Sequence, residues 1–187
     1  MTSVVEEGVL YPTEVEIKNA IQPKPKIAED FLLAEVSIRI SNPLATIKFY
    51  TGVLGMTLLT WWNDQKTRTT NYVFTFVDEA IIPPKERDEN HFNKWRLSRA
   101  GNIEMAYSWD GITGKTKYEC GALRPNEFGH FGVAVPNYKK AMERFRSLGC
   151  TIIPCKNDES LSYILDPDGY RIEIFTVRWG DDDQNDG

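Results

Sequence analysis

The chain has 187 residues, 41% hydrophobic and 26% charged, the balance of a soluble globular protein with one domain or two small modules on a shared core. Its formal net charge of −5 argues against nucleic acid as a main partner, and no apolar run is long enough to span a membrane. The acidic start around Glu6 and Glu7 fits neither a secretion signal nor a transit peptide, and Cys120, Cys150 and Cys155 lack C-x-x-C spacing, so reduced thiols in a cytoplasmic protein are expected.

Residues 1–29 carry Pro12, Pro23 and Pro25 and no sustained period, and read as an N-terminal arm. Phe31 to Ser41 alternates as a strand. A helix then begins at Asn42, a good N-cap, with Pro43 in the first helical position and Leu44, Ile47, Tyr50 and Leu54 at helical spacing. Met56 to Asn63 and Thr69 to Val77 read as two strands, the second with Tyr72, Phe74 and Phe76 alternating. Residues 78–101 hold Pro83-Pro84 and the charge run from Lys85 to Glu89. They read as an insertion with a solvated loop and an exposed His91. Asn102 to Trp109 is a further strand, and residues 111–126 are a polar connector.

The same order then recurs. His130 to Asn137 overlays Glu35 to Asn42, with Phe131, Val133 and Val135 matching Val36, Ile38 and Ile40. A helix follows with Ala141, Phe145 and Leu148, and Gly149 stands in the stop position that Gly55 holds in the first copy. Asp166-Pro167-Asp168-Gly169 is a turn signal, since Pro presets φ and Gly accepts φ > 0. Each copy closes on an Ile-Glu pair, Ile103-Glu104 and Ile172-Glu173. The expected fold is α+β, two tandem β-α-β-β-β modules forming a curved mixed sheet. The first module is expected over 30–110 with its insertion at 78–101, the second over 127–179, and an acidic tail over 180–187.

The duplication also aligns chemistry. Glu35 matches His130 and Glu104 matches Glu173, so ligand-type side chains occupy corresponding positions of two units. Alone, either His130 or Glu173 reads as an ordinary strand residue; the joint match points to a metal site. Carboxylates set among apolar strand residues are costly unless paired or bound to a cation. Three carboxylates and one imidazole suit a divalent ion such as Zn²⁺, Ni²⁺, Mn²⁺ or Co²⁺ with open water positions. A closed structural zinc site would want cysteines, and a 2-His-1-carboxylate iron centre would want a second histidine. A metal-bound carboxylate also offers a base for a proton next to a carbonyl.

Phe49-Tyr50-Thr51-Gly52-Val53-Leu54-Gly55-Met56, Phe128-Gly129-His130-Phe131-Gly132-Val133-Ala134-Val135 and Asp166-Pro167-Asp168-Gly169-Tyr170 with Ile172-Glu173-Ile174 resemble the glyoxalase I (lactoylglutathione lyase) family of the vicinal oxygen chelate superfamily. The resemblance runs from about Phe31 to Phe175 and is nearest the single-unit eukaryotic form. It implies isomerisation of the methylglyoxal–glutathione hemithioacetal to S-lactoylglutathione through a metal-stabilised enediolate. Glu173 would be the principal base, Glu104 would serve proton transfer on the other face, and His130 would be a fixed ligand. Glutathione would be the co-substrate. A homodimer is implied, with Glu35 and Glu104 from one subunit facing His130 and Glu173 of the other. Arg39 matches the family's glutathione-carboxylate arginine. Ser108 and Asn126 stand where eukaryotic members carry Asn and Arg, and the family has a Lys near Pro154; Arg124, two residues from Asn126, and Lys156, two residues from Pro154, would substitute. At Glu35 the eukaryotic enzymes usually have Gln and the bacterial ones His, so this chain adds one negative charge. Replacing Glu35 by Gln is accordingly expected to preserve or raise activity. The alternatives are a thioester epimerase of the same superfamily, or a catalytically impaired glyoxalase-like binder of metal or small molecules.

Overall fold

The computed structural model describes residues 4–6, 9–85, 88–110, 128–155, 158 and 160–176. The chain forms two compact units, residues 1–32 and 33–187. In the first, β1 (Val4–Glu6) and β2 (Val9–Tyr11) pair antiparallel, and α1 spans Glu14–Ala20. The arm expected over 1–29 is therefore not irregular throughout. The helix is set by a capping box. Thr13 Oγ1 accepts from the Glu16 amide at 3.2 Å, and Glu16 Oε2 accepts from the Thr13 amide at 2.8 Å. No residue of α1 is buried, so there is no apolar stripe by which periodicity would reveal it.

The second unit holds the repeat. Its first half runs β3 (Glu35–Ile40), α2 (Pro43–Lys48), β4 (Thr57–Asp64), β5 (Thr69–Thr75), α3 (Glu89–Leu97) and β6 (Asn102–Ser108). Its second half runs β7 (Phe131–Val135), α4 (Tyr138–Ser147), β8 (Ile152–Pro154), β9 (Ser162–Leu165) and β10 (Arg171–Thr176). Each half makes its own four-stranded mixed sheet, in the orders β3-β6-β5-β4 and β7-β10-β9-β8. In both, the first strand lies parallel to the last, and the remaining neighbours are antiparallel. The parallel first and last strands are joined through a helix and two further strands, the long connection that a parallel pairing requires.

Both helices start from asparagine caps. Asn42 Oδ1 accepts from the Ala45 amide at 3.1 Å and Asn137 Oδ1 from the Lys140 amide at 2.9 Å. The first helix differs from a plain α-helix to Leu54. After Lys48 it widens into a π-helical turn over Phe49–Val53, with the Leu54 amide reaching back to the Phe49 carbonyl at 3.2 Å. Gly55 (φ 77°) and Gly149 (φ 73°) end the two helices in the left-handed region.

Alternation divides each sheet into two faces. Ile38, Ile40 and Met105 of one sheet join Val133, Ile164, Ile172 and Ile174 of the other in one core, with Tyr50, Met142 and Phe145 from the helical segments. Fully buried, each such side chain contributes on the order of 2 kcal/mol of transfer free energy. Tyr50 is central to it. Its ring stands 5.6 Å from Phe74 in its own module and 6.4 Å from Phe131 in the other. The opposite faces carry the polar side chains that concern function.

The insertion at 78–101 is more ordered than expected from its charge run. Asp88 caps α3 by accepting from the His91 amide at 2.9 Å, and Phe92 and Arg96, one helical turn apart, are the buried residues of α3. His91 is exposed. The connector at 111–126 and the tail at 180–187 lie outside the described residues.

Candidate metal centre

Strand register brings the expected ligands together in pairs. In the first sheet Glu104 of β6 is opposite Ser37 of β3, and Glu35 is the next residue of β3 on that face. In the second, Glu173 of β10 is opposite Gly132 of β7, and His130 precedes it on the same face, just before the strand. The two sheets thus present the pairs Glu35/Glu104 and His130/Glu173 in the same registration. Among the described residues, His, Cys, Asp and Glu form no single cluster of three or more suited to a metal ion.

The second pair is in direct contact. His130 Nε2 lies 3.3 Å from Glu173 Oε2, and the Tyr163 hydroxyl donates to Glu173 Oε1 at 3.1 Å. The His130 and Tyr163 rings meet edge to face at 5.5 Å. Burial raises the Tyr163 phenol above its usual range, with the Glu173 hydrogen bond and charge adding to it, so it stays a donor. Gly132 leaves room on this face, because a Cβ there would come within 2.6 Å of the Phe175 ring.

The first pair is more polar in its surroundings. Ser37 Oγ donates to Glu104 Oε1 at 3.3 Å. Burial pushes the Glu104 carboxyl above the ordinary range, and the Glu35 charge pushes in the same direction. Arg96 from α3 pairs with Glu35, its Nη1 lying 2.6 Å from Oε2. Three carboxylates and an imidazole, half-buried or exposed on two sheet faces, are a fitting donor set for a divalent cation.

A cleft of about 610 Å³ opens over the first sheet. Arg39 and Ser108, expected to bind substrate, both line it, beside Ser37 and Glu104. Arg124, Asn126 and Lys156 lie outside the described residues. Sequence reasoning did not single out Trp62 and Asn71, which also line the cleft, nor Tyr163 and Arg96. Tyr163 was findable, since it stands in the strand beside Glu173 in a predictable antiparallel pairing. Arg96 was not, because its contact spans sixty-one positions from an insertion with no counterpart in the second module.

Two βαβββ modules, each with a pair of candidate ligand side chains on the face away from the core, point to the class of protein. Residues 32–174 match the Glyoxalase/Bleomycin resistance protein/Dioxygenase superfamily, and the chain belongs to it. It is 26% identical over 166 residues to the lactoylglutathione lyase of Pseudomonas aeruginosa, covering 88% of this chain and 92% of that one. With the lactoylglutathione lyase of Pseudomonas putida the identity is 29% over 157 residues, covering 82% and 88%. Among solved structures, glyoxalase I from Zea mays matches with a TM-score of 0.53 and 26% identity, over 76% of this chain and 43% of that one. Glyoxalase I of Leishmania major, described as trypanothione-dependent, matches with a TM-score of 0.56 and 22% identity, over 77% and 85%, a likeness of fold.

Proposed function

We propose that this protein is a metal-dependent glyoxalase I that isomerises the hemithioacetal of methylglyoxal and glutathione to S-lactoylglutathione. The observation that carries this reading is the duplicated register, which sets Glu35/Glu104 and His130/Glu173 at equivalent places in two sheets. The lactoylglutathione lyases among its relatives support the reaction class.

Glu35, Glu104, His130 and Glu173 would hold the metal, with Zn²⁺ the first choice. When bound, the ion supplies Lewis acidity to the two neighbouring oxygens of the substrate. The protein's own groups then handle one proton. It leaves the carbon bearing sulfur and returns to the adjacent carbon, so the reaction is an internal redox exchange without an external oxidant. Glu173 takes the proton, its other oxygen steadied by Tyr163. Glu104 serves the opposite face. Burial and the neighbouring Glu35 charge favour its taking up a proton. Arg39 and Ser108 orient the thiol's polar groups in the cleft, the guanidinium by charge-assisted hydrogen bonds to a carboxylate.

Each chain brings two half-sets of ligands, so a homodimer with Glu35/Glu104 of one subunit facing His130/Glu173 of the other would complete two sites. A cytoplasmic location goes with this reading, in keeping with the free thiols of Cys150 and Cys155. Among the described residues, no helix is long and apolar enough to cross a membrane.

The test is turnover of the hemithioacetal by EDTA-stripped protein, with Zn²⁺, Ni²⁺, Co²⁺ and Mn²⁺ added back one at a time. Activity restored by one or more of them is the expected result and identifies the metal. Metal binding without turnover rejects glutathione as the thiol, and absence of metal binding rejects the four-residue site. Sedimentation of the loaded protein separates a dimer from a monomer.

A further inference from the structure

Arg96 is a buried guanidinium, 9% exposed, and an unusual choice for the packed face of a helix. Its Nη1 lies 2.6 Å from Glu35 Oε2, and the partner carboxylate is less buried, with 31% of its side chain exposed. The pair therefore uses one oxygen of Glu35. The position of Arg96 is closely determined. Asn102, 1% exposed, lies opposite Glu35 in the strand register. Its Nδ2 reaches the Ala34 carbonyl at 2.9 Å, the Arg96 carbonyl at 3.0 Å and the Arg99 carbonyl at 3.1 Å. One buried amide thus ties the end of α3 to the start of the strand that carries Glu35.

We propose that Arg96 is a positioning residue for the metal site, holding Glu35 by Oε2 and cancelling its charge so that the Glu35–Arg96 pair acts as one neutral oxygen ligand. This rests on the metal-site reading above. Three carboxylates around a divalent cation leave one surplus negative charge, which weakens the cation's pull on substrate oxygens. The guanidinium removes that surplus. Without Glu35, the same guanidinium is an unpaired buried positive charge beside the cation. The expectation that Glu35→Gln preserves activity overlooks Arg96 and is revised: the single change should harm the site.

The test is a double-mutant cycle read as the dissociation constant for Zn²⁺, by competition with a chromogenic chelator, on the full-length protein. Glu35→Gln should weaken binding by roughly tenfold or more, and Arg96→Gln should strengthen it by a similar factor, the scale set by one unit charge a few ångströms away in a partly buried site. The double variant should return close to the starting affinity. Arg96→Lys, which keeps the charge, should stay near wild type, and it carries the argument if Arg96→Gln fails to fold. A purely structural ion pair would make both single changes act in the same direction or not at all; that result, in protein that still binds Zn²⁺, overturns the role of Arg96 and leaves the metal site standing. No Zn²⁺ binding by any variant, wild type included, overturns both.

Discussion

The Tyr50 hydroxyl donates a hydrogen bond of 3.0 Å to Asp166 Oδ2, joining the π-helical turn of the first module to the Asp-Pro-Asp-Gly turn of the second. Asp166 also accepts from the amides of Asp168 at 2.9 Å and Tyr170 at 2.8 Å. The turn is held from outside as well, by the Ser41 amide, 3.1 Å from each carboxylate oxygen of Asp168. The Arg39 amide donates to the Tyr170 hydroxyl at 3.3 Å. The turn preceding the Glu173 strand is thus anchored to the end of the Glu35 strand.

Burial pushes the Asp166 carboxyl up to about 6, outweighing the three donors that pull it down. A raised folded-state pKa means that the folded protein retains a proton the unfolded chain has released. The stabilisation is complete below the unfolded value of 3.8 and is lost as pH rises through about 6. The difference is on the order of 3 kcal/mol. Denaturant unfolding of wild type against Asp166→Asn should show the wild-type stability falling more steeply between about pH 4 and pH 6, because the amide does not titrate there. Parallel curves would remove Asp166 as the source.

Asn102→Ala should destabilise the fold by about 1–3 kcal/mol, since it removes the side-chain amide that bridges the Ala34, Arg96 and Arg99 carbonyls in a buried position. It should also weaken the hold of α3 on the strand of Glu35. Hydrogen exchange of the α3 amides checks this: faster exchange in α3 with the second sheet unchanged is expected.

Glu173→Gln should leave the unfolding midpoint nearly unchanged and reduce kcat by about 10²–10⁴-fold, the usual contribution of a positioned base. Tyr163→Phe removes only the 3.1 Å hydrogen bond to that base, so kcat should fall by roughly five- to tenfold with little change in KM. A Glu173→Gln variant with near-normal rate would sink the assignment of the base.

Gly169→Ala should cost about 1–2 kcal/mol, because Gly169 has φ 93° and a Cβ there strains the backbone even though it would meet open space. Thermal unfolding measures it, and no loss would mean that the turn relaxes to another conformation.

The duplicated fold was legible in the chain itself because its signals are local. Alternation in β3 and β7, asparagine caps at 42 and 137, and glycines at 55 and 149 act over a few residues each and recur in the same order. The candidate ligand pairs were legible for the same reason, since a strand of period two assigns Glu35, Glu104 and Glu173 to a face once the repeats are aligned. Helix α1 escaped notice because its capping box is not accompanied by a buried stripe. What only the tertiary structure decided is the electrostatic setting of those residues. Whether Glu35 stands as a bare charge or half of a neutral pair depends on where α3 packs, through a buried amide and an ion pair between residues far apart in the chain. Coulomb energy depends on distance in space and on burial, and neither is written in the order of the residues.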